Sequence, residues 1–243
     1  MVPQKYKATR LAWARWVKRQ PGTHLRRWAY TDGTVFYLGR TAQEAEQATR
    51  GSLGPMVWRR TDGSDALYED CVGPSAYWKA QGTPVRVWGL LANGKLHVTI
   101  LPANECMNRW WYEWIVRERF PKWIKDSFGV QKRGVNLVQD HEKCLWAGEP
   151  RMAMGSIRIN LLENYPKCSQ DLNPIEEAWR ELRQRLYDTQ PTDMEGRRGF
   201  IVRLRSAVSW LNKNRADFFS RICNSQVDWA EDVRKAKGAR TRH

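Results

Sequence analysis

The sequence predicts an α/β domain built on a mixed sheet, and three observations carry that prediction. Two pairs of alternating apolar runs are each punctuated by a turn dipeptide, at Asp32-Gly33 and Asn93-Gly94; two shorter apolar runs follow, at 135–139 and 156–162; and an amphipathic helical stretch comes after Asn173. Hairpins give antiparallel strands, and strand, helix, strand, helix in succession gives a parallel continuation of the same sheet.

Composition narrows the class. At 243 residues, 42% hydrophobic and with 14 tryptophans, the chain is long and apolar enough to bury a core as one domain with insertions. A net charge of +15 favours a polyanionic partner, nucleic acid ahead of membrane, because no long apolar run or basic amphipathic anchor is present. Five scattered cysteines without a C-x-x-C pair suggest neither a disulfide framework nor a zinc site, and four histidines support no histidine-rich centre. Any metal is then expected to be a hard cation on carboxylates.

Residues 1–23 read as a basic lead-in helix with Leu11, Ala12, Arg15, Trp16 and Arg19 on a partly apolar face, stopped before Pro21-Gly22. Arg15, Lys18 and Arg19 make it a candidate phosphate-contacting element; a solvated face packed down by tryptophans is the alternative. A strand is expected over Leu25–Thr31, a turn at Asp32-Gly33, and a second strand over 34–38. Residues 41–83 read as an irregular insertion with a helical turn, a short strand and a loop around Val57-Trp58-Arg59-Arg60. Val85–Leu91 and Leu96–Leu101 form a clearer hairpin through Asn93-Gly94. A helix then sets Met107, Trp110, Trp111, Trp114 and Ile115 on one face, expected to face the core.

Val135–Gln139 is a short apolar strand ending at Asp140, where open sheets place ligands. Ser156–Leu162 is a further strand. Asn173 is a good N-cap, Pro174 suits the first helical position, and Ile175, Ala178, Trp179, Leu182 and Leu186 recur on one helical face. Glu176 sits in the first turn, either in a capping box with Asn173 or as a functional carboxylate. Further helices are expected over about 194–213, with Phe200, Ile201, Leu204, Val208 and Leu211 inward, over Ala216–Cys223, and around Trp229. The basic tail that follows, with Lys235, Lys237 and Arg240, is a DNA-contacting or nuclear-import segment or a solvated end.

Asp32, Asp140 and Glu176 are thus placed at two strand ends and a helix start. With the first strand central, such a trio can converge, and three bare carboxylates would repel one another unless divalent ions neutralise them. Two ions about 4 Å apart can activate an attacking oxygen and stabilise a leaving one.

These residues carry a resemblance. Cys168-Ser169-Gln170-Asp171-Leu172-Asn173-Pro174-Ile175-Glu176-Glu177-Ala178-Trp179 is similar to the signature of mariner-superfamily DDE transposases, on the branch whose third acid is glutamate. The 35 residues between Asp140 and Glu176 match its short spacing. Gln139-Asp140, Tyr30–Phe36, Val57–Arg60, Val87-Trp88-Gly89 and the tail 235–241 follow in collinear order. The resemblance implies an RNase H-like, integrase-like fold with a mixed five-stranded sheet flanked by helices, an insertion loop and C-terminal helices. It implies a catalytic domain over 24–190, with a helical region and basic tail over 191–243. It further implies Asp32, Asp140 and Glu176 as ligands of two Mg²⁺ or Mn²⁺, and cleavage and strand transfer on transposon-end and target DNA. Arg15, Lys18, Arg19, Arg59, Arg60, Lys235, Lys237 and Arg240 are the DNA-binding candidates, the place of action is nuclear, and a homodimer is a possible state. A catalytically degenerate or domesticated DNA-binding protein is the alternative. The chain departs from the family at Gly33 (usually Glu), His141 (usually Asn), Leu145 (usually His) and Gln170 (usually Pro), and room for the family's paired helix-turn-helix modules is not found before residue 25.

Overall fold

The computed structural model describes residues 2–38, 83–129, 134–189 and 195–241. Its centre is a five-stranded sheet of β1 (Trp28–Leu38), β2 (Thr83–Ala92), β3 (Lys95–Ile100), β4 (Val135–Val138) and β5 (Ile159–Leu161), in the order β3-β2-β1-β4-β5. The pairs β1–β2 and β2–β3 are antiparallel, whereas β1–β4 and β4–β5 are parallel. The first strand is therefore central, the condition under which the three acids can converge. This is the RNase H-like arrangement that the resemblance implies.

The first hairpin does not form. Asp32 and Gly33 lie inside one continuous strand, paired with Gly89 and Trp88 of β2. An Asp-Gly dipeptide is permissive for a turn, but ten residues of β2 pair with β1 in unbroken register and hold it extended. The strand also begins at Trp28, later than expected, because Gly22–Leu25 closes a short helical turn, α2. The second hairpin forms as predicted, with Asn93 and Gly94 both at positive φ (46° and 80°).

Successive residues of the central strands point to opposite faces, and both faces are covered. On one side Trp28, Tyr30, Phe36, Val85, Val87 and Leu91 join a core with α1 (Gln4–Val17), α6 (Ile175–Asp188), α7 (Arg197–Asn214), α8 (Ala216–Asn224) and α9 (Gln226–Lys235). On the other, Ala29, Trp88, Leu90 and Leu137 pack with α3 (Arg109–Glu118), α4 (Phe120–Phe128) and α5 (Gly148–Ser156). The sequence reading misses α4, which follows α3 at once with Pro121 in its first turn. Ser156–Arg158 proves to be the end of α5 and its exit, so only Ile159–Leu161 pairs in β5.

Two helices are rotated from expectation. In α3 the buried side chains are Tyr112, Ile115 and Val116, while Trp110 and Trp114 are 57% and 38% exposed. The guanidinium groups of Arg109 and Arg119 lie over these two rings at 4.4 and 4.8 Å, so cations rather than the core cover them. In α1 the inward face is Arg10, Trp13, Ala14 and Val17, not the predicted 11/12/15/16/19 set. The helix is packed down by its tryptophans: Trp13 lies 5.0 Å from Trp16 and 5.5 Å from Trp28, and Lys18 pairs with Glu231 of α9 at 2.7 Å. Residues 41–82, including Arg59 and Arg60, lie outside the described residues.

Arg10 is the buried cation of this core. Its guanidinium donates to both carboxylate oxygens of Asp171 (2.8 and 2.6 Å), to Ser169 Oγ (2.8 Å), and to the carbonyls of Gly238 (3.0 Å) and Ala239 (3.1 Å). Removing one partner of such a pair strands the other charge in the interior, typically at a cost of about 3–5 kcal/mol. Arg10→Met is therefore expected to lower the unfolding free energy by about that amount in urea titration. Gly89 is expected to be equally intolerant: a Cβ there would stand 2.5 Å from the buried ring of Trp179. Gly89→Ala should cost about 1–3 kcal/mol through overpacking, read as a lowered urea midpoint at unchanged slope.

Candidate active site

The signature segment docks against the centre of the sheet, and packing dictates how. Trp179 is fully buried over Gly89, which lacks the side chain that would exclude it. Thr31 donates its hydroxyl to the Gly89 carbonyl (2.7 Å), and Asn173 Nδ2 donates to the Thr31 carbonyl (3.4 Å). Asn173 Oδ1 accepts from the Ile175 N–H, while its own N–H goes to Gln170, so Asn173 spans the strand and the helix start. The reciprocal capping box is not made. Glu176 instead turns to Asp32, with which it shares a hydrogen bond.

The third acid approaches from β4. Asp140 follows the strand directly, and the buried Gln139 fixes its exit by accepting from the Tyr112 hydroxyl and donating to the Leu145 carbonyl (3.3 Å). Trp146 Nε1 donates to the Asp140 carbonyl (2.8 Å), His141 stacks on Trp146 at 4.7 Å, and its Nε2 lies 2.5 Å from the Tyr165 carbonyl.

The three acids feel one another. Burial, then repulsion from Glu176 and Asp140, pushes the Asp32 carboxyl well above the usual carboxylate range. Burial likewise raises Glu176, although Arg183 opposes it, and raises Asp140 with help from Glu142. Asp32 and Glu176 are in hydrogen-bond contact, and two carboxylates this close ionise together only at a cost. Among the described residues no three His, Cys, Asp or Glu side chains already stand at cage distances.

Arg183 is the residue that sequence reading missed. Two turns beyond Glu176 on the same face of α6, it bonds the Thr34 hydroxyl and acts electrostatically on both Glu176 and Asp32. The i, i+7 spacing from Glu176 was its signal. Of the DNA-binding candidates, Arg15, Lys18, Arg19, Lys235, Lys237 and Arg240 are exposed, and Lys18 and Lys235 pair with Glu231 and Asp232. Arg240 alone among them lines the cavity beside Glu176.

The departures at 33, 141 and 145 have local causes. A Cβ on Gly33 would stand 2.8 Å from the Trp88 ring, so no glutamate fits. His141 is held by Tyr165 and Trp146, and Leu145 is buried in the core. None displaces an acid.

Comparison with known proteins now bears on the assembly. No family model matches the chain. The Tc1 transposase of Caenorhabditis elegans is 28% identical over 235 residues, covering 93% of this chain and 77% of that protein. The Tcb1 transposase of Caenorhabditis briggsae is 32% identical over 108 residues, covering 44% of this chain and 38% of that protein. The crystal structure of the Mos1 mariner transposase catalytic domain superposes with a TM-score of 0.64 at 13% identity, covering 100% of this chain and 98% of the other.

The chain resembles the Tc1 and Tcb1 transposases in sequence and the Mos1 mariner catalytic domain in fold.

The chain has the fold of the Mos1 catalytic domain. It covers 64% of the transposase in the Mos1 paired-end complex with the left transposon end, at a TM-score of 0.68 and 11% identity.

The carboxylate cluster sets a pH dependence. In the folded chain these acids bind protons more tightly than in the unfolded chain, so stability falls as pH rises from the ordinary carboxylate range near 4 through the raised values. Neutralising the most perturbed acid removes that penalty. Asp32→Asn is expected to raise the melting temperature at pH 7 in EDTA, by about 2–4 °C per kcal/mol recovered, and to change it little near pH 3, as read by scanning calorimetry.

Proposed function

We propose that this chain is the catalytic domain of a DNA transposase that uses two divalent metal ions on Asp32, Asp140 and Glu176 to cleave and join phosphodiester bonds. The observation carrying the reading is the gathering of these three partly buried acids, each with a raised pKa, between the middle of β1, the carboxyl end of β4 and the start of α6 in a strongly basic chain. Their donor set suits Mg²⁺ or Mn²⁺: hard, anionic oxygens whose repulsion is relieved by a cation. The Mos1 catalytic domain has been solved with Mn and with Mg, which supports the same cofactor class here.

The bound ions would supply a nucleophilic oxygen at neutral pH and stabilisation of the leaving oxygen. The chain's own groups do the rest. Asp32, Asp140 and Glu176 would hold the cations, and the Arg183 guanidinium balances excess negative charge beside Asp32 and Glu176. Gln139, Trp146 and Tyr165 hold the Asp140–His141 turn, so Asp140 keeps its direction. Exposed Arg15, Arg19 and Lys237 engage the DNA backbone without reading its sequence. The reaction is attack by water, then by a DNA 3′-hydroxyl, on transposon-end and target phosphodiesters. The paired-end complexes of Mos1 transposase support assembly of two copies on paired ends, and the work would be nuclear.

The decisive test is nicking of supercoiled plasmid with Mg²⁺ or Mn²⁺. Wild type is expected to nick, with Asp140→Asn and Glu176→Gln reduced by at least about a hundredfold, the scale on which removal of a key electrostatic group acts. Plasmid binding without nicking, or nicking that survives both substitutions, would move the chain to the degenerate DNA-binding class.

A further inference from the structure

Resting on the transposase reading, we infer that the C-terminal tail is a fixed part of the active site, and that Arg240 forms a phosphate-binding subsite for the DNA strand beside Glu176.

The tail is pinned on both sides of Arg240. Helix α9 ends in a left-handed turn at Lys237 and Gly238 (φ 51° and 81°), closed by the Gly238 N–H on the Val233 carbonyl (2.9 Å). Gly238 meets α1 so closely that a Cβ would stand 2.5 Å from the Lys7 carbonyl oxygen. Arg10 then takes the carbonyls of Gly238 and Ala239, and Asp171 Oδ2 accepts from both the N–H (2.9 Å) and the hydroxyl (2.8 Å) of Thr241. Arg240 lies between two anchored residues and has little backbone freedom.

Its side chain faces a cavity of about 420 Å³ lined also by Gln170, Asn173, Glu176, Glu177, Arg180 and Trp229. Charge within that cavity is unevenly balanced. Asp171, at its edge, is neutralised by buried Arg10, and Glu177 pairs with Arg180. Among the described residues Arg240 makes no ion pair, although its charge is felt by Glu176. A fork of donors on a pinned backbone, without an ion-pair partner and beside a metal-binding carboxylate, suits a phosphodiester oxygen. The signature aspartate thus serves a purpose apart from the triad: with Arg10 it holds the tail that carries the phosphate ligand.

The test compares Arg240→Ala, Arg240→Lys and Lys122→Ala, the last removing an exposed cation from α4 on the opposite face of the sheet. Binding of a fluorescein-labelled duplex with a recessed strand end is followed by anisotropy over a salt series in EDTA, so no cleavage step enters. Arg240→Ala is expected to weaken binding about tenfold and lower the salt slope by about one, Arg240→Lys to keep the slope with partial affinity, and Lys122→Ala to stay within about twofold of wild type. Equal effects of Arg240→Ala and Lys122→Ala, or none from Arg240→Ala, would overturn the subsite. Absence of plasmid nicking by wild type would instead count against the nuclease reading and leave this comparison intact.

Discussion

The buried ion pair of Arg10 with Asp171 is the constraint on which the rest of the arrangement depends. A guanidinium with no exposure is tolerable in a protein interior only when its donors are all matched, and here they are shared between two distant pieces of chain, the signature loop and the tail beyond α9. One charge on the first helix thereby ties residue 10 to residues 169–171 and 238–239. Burial would raise the Asp171 carboxyl, but bonds from Arg10 and Thr241 hold it below the usual range. Asp171 stays ionised next to a site where the neighbouring acids do not easily do so.

That contrast organises the site. Asp32 and Glu176 lack a matched cation of their own apart from Arg183, and burial, with repulsion from neighbouring acids, raises both carboxyls above the usual range. The same burial that makes the carboxylates costly makes them avid for a divalent cation, since interactions in a dry site are stronger than in water. The price in stability is borne by the two-sided core, where Trp179 over Gly89 and the Trp13–Trp16–Trp28 cluster fix the signature helix and α1 to the sheet.

Much of the fold was legible because strands and helices here follow local periodicity. The Asn93-Gly94 hairpin, the helix after Asn173 and the inward face Phe200, Leu204, Val208 and Leu211 all formed as their patterns indicate. Local rules failed where long-range pairing overrode them. Asp32-Gly33 looked like a turn, yet β2 holds both residues in a continuous strand. Trp110 and Trp114 looked like core, yet arginines cover them while Tyr112 and Ile115 take the interior. Arg10 looked like one more surface cation and is instead completely buried.

By itself the sequence determined the mixed sheet, most of the helices and the three acids that merit attention, because hydrophobic period, caps and motif spacing are all local quantities. Only the tertiary structure decided that Glu176 turns to Asp32 instead of closing a capping box, that Arg183 stands beside both, and that the basic tail is anchored over the site by Arg10 and Asp171. Those outcomes depend on which charges are buried together, and burial is a property of chain segments brought together from far apart, which no local pattern contains.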